Sequence, residues 1–160
     1  MSDAPAPQPS STELPVCLAI NICNEVIVDA RTNNKSLISC FNGIVSQTLP
    51  AMHPRMFIMA SLSNVFANSE IIISARDPNY TEIMQFRAQI AASDPLAVHD
   101  LIVEVHNLQL PFAGTYFVDV IHNDTLLAER RFIVQIVPPQ QQQPGQPPMP
   151  PPGNPGQLPA

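Results

Sequence analysis

Between Val16 and Val137, apolar residues return at every second position in short runs, the spacing of strands that bury one face. The longest such region is Leu108–Val137. There Tyr116, Val118 and Val120 alternate with Thr115, Phe117, Asp119 and Ile121. Phe132, Val134 and Ile136 alternate in turn with Glu129, Arg131 and Gln135. His122-Asn123-Asp124-Thr125 lies between the two runs, and Asn and Asp tolerate positive φ, so the spacing predicts a hairpin with a short turn. Pro111 and Gly114 bracket its start, because proline cannot donate to a ladder and glycine permits a sharp backbone turn.

The preceding chain reads as further strands of the same kind. Val16, Leu18, Ile20 and Ile22 share a face, and the alternation stumbles at Cys23-Asn24-Glu25, which predicts a bulge or kink there. Residues 36–46 return as one strand paired with the first, and Leu49 to Pro54 form a connection crossing between sheets. Strands are predicted over 55–62, 70–75, 81–90 and 101–110, with a turn at Arg76-Asp77-Pro78-Asn79. The segment 81–90 also admits a helix, but its flanking turns favour a strand with Met84, Phe86, Ala88 and Ile90 on one face. Ser93-Asp94-Pro95 allows one helical turn at most. The expected architecture is all-β: an antiparallel immunoglobulin-like β-sandwich of about eight strands over residues 15–137. A disordered segment, 1–14, precedes it. A disordered Pro/Gln-rich tail, 138–160, follows, with ten of the nineteen prolines and no charged side chain. Pro147 to Pro152 could serve as a PxxP ligand, but the tail lacks the flanking Arg or Lys that orients such ligands, so a tether is the preferred reading.

Gly114-x-Tyr116-x-Val118 after a proline loop resembles the tyrosine corner of immunoglobulin-like sandwiches. Val118 stands where antibody domains carry cysteine, and the chain has no Trp, so an antibody-type disulfide core is excluded. Together with Cys23-Asn24 and Lys35-Ser36-Leu37-Ile38, the Pro111/Gly114/Tyr116 corner makes residues 14–137 similar to an uncharacterised bacterial family of small, one-domain immunoglobulin-like proteins. The resemblance implies a fold. It implies no active site, since that family, a domain of unknown function, has no assigned activity.

Composition narrows the function classes. Seven Lys and Arg and a net charge of −6 argue against nucleic acid and against anionic membrane as partners. Residues 1–15 lack the basic start and apolar run of a secretory signal, and three cysteines fit reduced thiols, so a cytoplasmic protein is expected. His53, His99, His106 and His122 are scattered without metal-ligand spacing, although His106 and His122 could fall on neighbouring strands. Cys40 could neighbour Cys17 or Cys23 across the first hairpin. With only Gly43 and Gly114 in the folded part, no Gly-rich phosphate loop exists, and no nucleophile elbow occurs. Glu104 and Asp119 could approach as paired carboxylates, but nothing selects them over other pairs. Neither cofactor nor metal is expected, and the reading is not an enzyme.

What remains is a non-catalytic protein-interaction or structural module, with a second copy of the chain as one candidate partner. Phe117, Ile121, Leu127 and Ile133 lie opposite the core face of the terminal hairpin and are too apolar for open water, which makes them the candidate contact surface. The alternative is a small-ligand or carbohydrate-binding sandwich. It wants clustered exposed aromatics, and only Tyr80 and Tyr116 are available besides phenylalanine.

Overall fold

A computed structural model describes residues 13–66 and 68–138. The expectations for most of the N-terminal segment and for the proline tail, including its PxxP stretch, fall outside these residues. Nine strands follow in order: β1 (Val16–Val28), β2 (Lys35–Cys40), β3 (Gly43–Ser46), β4 (Ala51–Ser63), β5 (Ser69–Arg76), β6 (Glu82–Ile90), β7 (His99–Leu110), β8 (Gly114–His122) and β9 (Thr125–Ile136). They form a four-stranded sheet A, β2-β1-β4-β7, packed on a five-stranded sheet B, β3-β9-β8-β5-β6. Ile22, Met56, Ile58 and Leu62 from sheet A meet Ile71, Ile73, Tyr116, Val118 and Phe132 from sheet B in the shared core.

The expected eight antiparallel strands become nine, and sheet B is mixed. Residues 36–46 do not run as one strand: Ser39 adopts a positive φ of 52°, and the chain leaves sheet A after Cys40. It resumes as β3, parallel to β9, with Ile133 N donating to Asn42 O at 2.9 Å and Val137 N to Ser46 O at 2.9 Å. The apolar alternation is the same whichever sheet receives it, so the switch is invisible to periodicity.

The irregularity expected at Cys23-Asn24-Glu25 is a skipped 24/39 rung beside the point where β1 leaves β4, and a register-shifting bulge that was not expected lies upstream of it. Register runs Cys17↔Leu62 and then Ala19↔Ser61, leaving Leu18 as the extra residue. Cys17 therefore turns to the core edge, Val16 and Leu18 face solvent, and Ile20 and Ile22 stay inside. The connection expected at Leu49–Pro54 is partly strand, because β4 already begins at Ala51. Pro54 is tolerated there because the β1 pairing of β4 ends at Phe57, leaving no partner on that side to miss its N–H. Across the other side, Asn107 takes a φ of 50° and the ladder skips one rung. Segment 82–90 is strand, and 94–97 is a turn closed by Ala97 N to Asp94 O at 3.2 Å, not a helix start.

Two local devices frame the terminal hairpin. Asn123 and Asp124 both have positive φ, 45° and 60°, which gives a two-residue turn whose twist matches the flanking strands. At the other end, Tyr116 Oη donates to Phe112 O at 2.8 Å and accepts from Phe112 N at 3.1 Å, tying the chain before β8 to its buried centre. Gly114 between them has φ +135°, and a Cβ there would stand 3.0 Å from Pro78 Cγ. Gly114→Ala is expected to lower the unfolding free energy by about 1–3 kcal/mol through backbone strain, read from urea denaturation.

Candidate interaction surface

The outer face of the terminal hairpin carries an alternation of aromatic and ionic side chains. Register places Phe117 opposite Arg76 on β5 and opposite Arg131 on β9, and Asp119 opposite Ser74 and Glu129. Tyr80, from the β5–β6 turn, stacks on Phe117 with centroids 5.0 Å apart and planes 18° apart. Arg76 lies 5.4 Å from the centroids of both rings, and Arg131 lies 5.5 Å from that of Phe117. Arg76 also forks onto Asp119, Nη2 to Oδ1 at 2.9 Å, and reaches Glu129 at 3.3 Å. The turn that delivers Tyr80 is set by Asp77, whose buried carboxylate accepts from Asn79 N at 2.8 Å and Thr81 N at 2.9 Å.

This arrangement separates the four residues read as a contact surface. Phe117 is only 7 % exposed, beneath Tyr80 and between two guanidinium groups of its own chain. Ile121 is half-buried. Leu127 is the extra residue where β9 shifts register between its pairs Ala128 and Leu126, and it packs against the core cluster. Ile133 is 45 % exposed. Apolar strength at those positions was legible; the chain's own cover, from Tyr80, arrives from 37 residues upstream of Phe117 and carries no local signal.

The two flanks of the sandwich differ. On one, Arg130 spans the sheets, donating from Nη1 to Ile20 O at 2.8 Å and from Nη2 to Asn42 Oδ1 at 2.5 Å. On the other, between edge strands β6 and β7, two grooves open. One of about 470 Å³ is lined by Ile83 and Met84 of β6 and by Val105 to Gln109 of β7. A second of about 490 Å³ follows along the same flank, past Gln89, Ile90 and His99 to Ile102, and reaches Lys35. Phe86 pairs with fully buried Ile73 and so points inward, yet it is 40 % exposed: sheet B overhangs sheet A here.

The β1–β2 hairpin closes the far end of this flank. Hydrogen bonding sets β2 and β7 at opposite edges of sheet A, but Lys35 Nζ meets Asp100 Oδ2 at 2.7 Å. The inner face is filled by sheet B, so the hairpin tip comes round the outer face. Cys23, Phe57 and Met59 lie on that face, outside the main core, and are buried. Asp100 is desolvated, which by itself raises its pKa, but hydrogen bonds from Lys35 and Ser61 outweigh this and hold it below the usual carboxylate range.

The scattered histidines stay apart. His106 (β7) and His122 (β8) lie in different sheets, contrary to the expectation that they could be neighbours. His122 Nδ1 bonds Glu70 O at 2.9 Å, and His106 Nε2 lies 3.2 Å from Glu104. Glu104, in sheet A, pairs with Arg55 rather than approaching Asp119 in sheet B. Among the described residues no three His, Cys, Asp or Glu side chains gather as a metal site, and no helix is long and apolar enough to cross a membrane.

Residues 18–135 match a family of unknown function, DUF6941. The chain belongs to that family. The match covers the same region as the resemblance drawn from Cys23-Asn24 and the Pro111/Gly114/Tyr116 corner, and like it names no activity. No curated protein matches the chain. Among solved structures, this DUF6941 member is similar to an immunoglobulin-like protein from Pseudomonas aeruginosa, at 13 % identity and TM-score 0.41, over 78 % of this chain and 98 % of that one. It is also similar to the alkylpurine DNA glycosylase AlkC of Pseudomonas fluorescens, bound to DNA containing an abasic site analog, at 13 % identity and TM-score 0.36. That match covers 72 % of this chain and 30 % of the glycosylase. A third is β-glucuronidase of Bifidobacterium dentium, complexed with coumarin-3-O-glucuronide, at 13 % identity, TM-score 0.38, and 76 % and 17 % coverage. The chain spans less than a third of the length of either enzyme.

Proposed function

We propose that this domain is a non-catalytic, cytoplasmic protein-interaction module that accepts an extended strand along the free edge of β6. The observation that carries this reading is the difference between β6 and the other three sheet edges. Exposed edges invite pairing unless they are short, kinked or charged. β3 is 4 residues long. β2 is 6 residues long, carries Lys35 and is turned at Ser39. β7 is kinked at Asn107 and bears His99, Asp100, Glu104 and His106. β6 is 9 residues long, without Pro or Gly; its charges are Glu82 at one end and Arg87, which is paired to Glu70 on β5, and its ladder to β5 is regular from Ser69 to Ala75.

An added strand gains main-chain hydrogen bonds from β6 and covers inward-facing Phe86 and Met84 at the open flank. A second copy of the chain offers a suitable strand. Antiparallel pairing about a two-fold axis at Phe86 would set the two rings side by side and Arg87 opposite Gln85 of the other copy, so no like charges face each other. Light scattering on a size-exclusion column, over a micromolar concentration series, is expected to show a monomer–dimer equilibrium. Phe86→Lys, an inward-pointing edge charge on a partly exposed residue, should leave the circular dichroism unchanged and the chain monomeric. A wild-type chain that is strictly monomeric throughout the series removes the self-pairing reading.

A further inference from the structure

We propose that Cys23 and Cys40 form a thiol–disulfide exchange site that locks the base of the β1–β2 hairpin. The two residues are direct cross-strand partners in an antiparallel ladder, so their side chains share a face. Phe41 N donates to Ile22 O at 3.0 Å, which makes the adjoining 22/41 rung the hydrogen-bonded one. The 23/40 rung is therefore of the non-hydrogen-bonded kind, with Cα atoms about 4.5 Å apart. Disulfides bridge Cα separations of about 4.4–6.8 Å, so the bond can form with little backbone movement.

The surroundings favour exchange. Cys40 is exposed on an edge strand, while Cys23 is fully buried. An attacking small molecule reaches Cys40 and leaves Cys23 as the resolving thiol. Burial, then the adjacent Cys40, pushes the Cys23 thiol pKa up, so the first attack falls to Cys40. The rung beyond, 24/39, is absent from the ladder because Ser39 is turned, and the chain departs for sheet B just after Cys40. Cys17 lies opposite Leu62 and has no thiol across from it.

With oxidised glutathione as the oxidant, the chemistry balances in two exchanges. The Cys40 thiolate attacks a glutathione sulfur, forming a mixed disulfide and expelling one glutathione thiolate, which takes up the proton that Cys40 lost. The Cys23 sulfur, losing its proton, then attacks Cys40 Sγ, forms the Cys23–Cys40 bond and expels the second glutathione as its thiol. The protein dithiol is oxidised and one glutathione disulfide is reduced to two thiols.

The test uses the full chain carrying Cys17→Ser, equilibrated in mixtures of reduced and oxidised glutathione, acid-quenched, alkylated and weighed intact. As the mixture becomes oxidising, both alkylatable thiols should be lost together, leaving a monomeric chain that takes up no alkyl group and is two hydrogens lighter than the unalkylated dithiol. Adding Cys40→Ser should leave the Cys23 thiol alkylatable across the same range. Three results overturn the proposal: both thiols remaining alkylatable throughout, a stable glutathione adduct on Cys40 as the end point, or a linkage between chains. Circular dichroism of each variant establishes that the compared chains are folded.

Discussion

Replacing Arg76 with alanine is expected to destabilise the domain by about 3–5 kcal/mol, the cost of leaving a buried charge without its partner. Asp119 is 2 % exposed, sits in the middle of β8 and owes its compensation to the Arg76 fork. Glu129 cannot substitute, since it is itself a carboxylate and shares the same guanidinium. Truncation also removes the cation lying over Tyr80 and Phe117, so the aromatic step loses one of the groups that hold it. A single domain of this size is stable by only about 5–15 kcal/mol, so the variant should unfold at a much lower urea concentration. The pairing itself is tested by the double replacement Arg76→Met with Asp119→Leu, which removes both charges and keeps apolar volume. It should recover most of the loss, because exchanging a buried ion pair for packed apolar groups is often neutral or stabilising. A double variant whose loss equals the sum of Arg76→Met and Asp119→Leu alone would show that the two side chains do not depend on each other.

The same cluster shows where periodicity was informative. Alternation of Tyr116, Val118 and Val120 with Phe117 and Asp119 assigned the two faces of β8 correctly, since side-chain direction in a strand follows from position alone. Asn123-Asp124 likewise marked its turn, because few residues tolerate two successive positive φ values. The choice of strand over helix for 81–90 rests on flanking turns, and the ladder from Ser69↔Ile90 to Ala75↔Met84 agrees.

What eluded the pattern is non-local. A bulge adds one residue and inverts every face before it, so Leu18 looked like a core residue and Cys17 did not. The passage from β2 to β3 changes sheet within Phe41-Asn42, and apolar residues before and after it suit either sheet equally. The candidate surface moved for a related reason. Which apolar face lacks cover depends on the relative widths of the two sheets and on where Tyr80 is delivered, and neither is written in the spacing of the terminal hairpin. The proposed interaction surface therefore passes from Phe117 on β8 to the β6 edge, two strands away across β5.

Tyr116 tests the opposite kind of residue, one whose role was readable and whose loss should be severe. Tyr116→Ala is expected to cost about 3–5 kcal/mol, as for other buried aromatic truncations, since the ring is fully buried and stacks on Phe132 with centroids 5.3 Å apart. Tyr116→Phe isolates the hydroxyl. It keeps the ring and strands Phe112 N and O, for an expected loss of about 1–3 kcal/mol. The alkaline limb of the stability curve separates the hydroxyl from the ring. Burial, which outweighs the Phe112 hydrogen bond, raises the Tyr116 pKa above 10.0, and Asp77 adds to the rise. Above pH 10.0 the unfolded chain releases this proton while the folded chain keeps it, so stability is whole below that pH and falls as the pH climbs toward the folded pKa. Tyr116→Phe has no proton to release. Urea denaturation between neutral and alkaline pH should therefore show the wild-type advantage over the Phe variant shrinking as pH rises, and an advantage constant with pH would mean the hydroxyl is not held un-ionised at the corner.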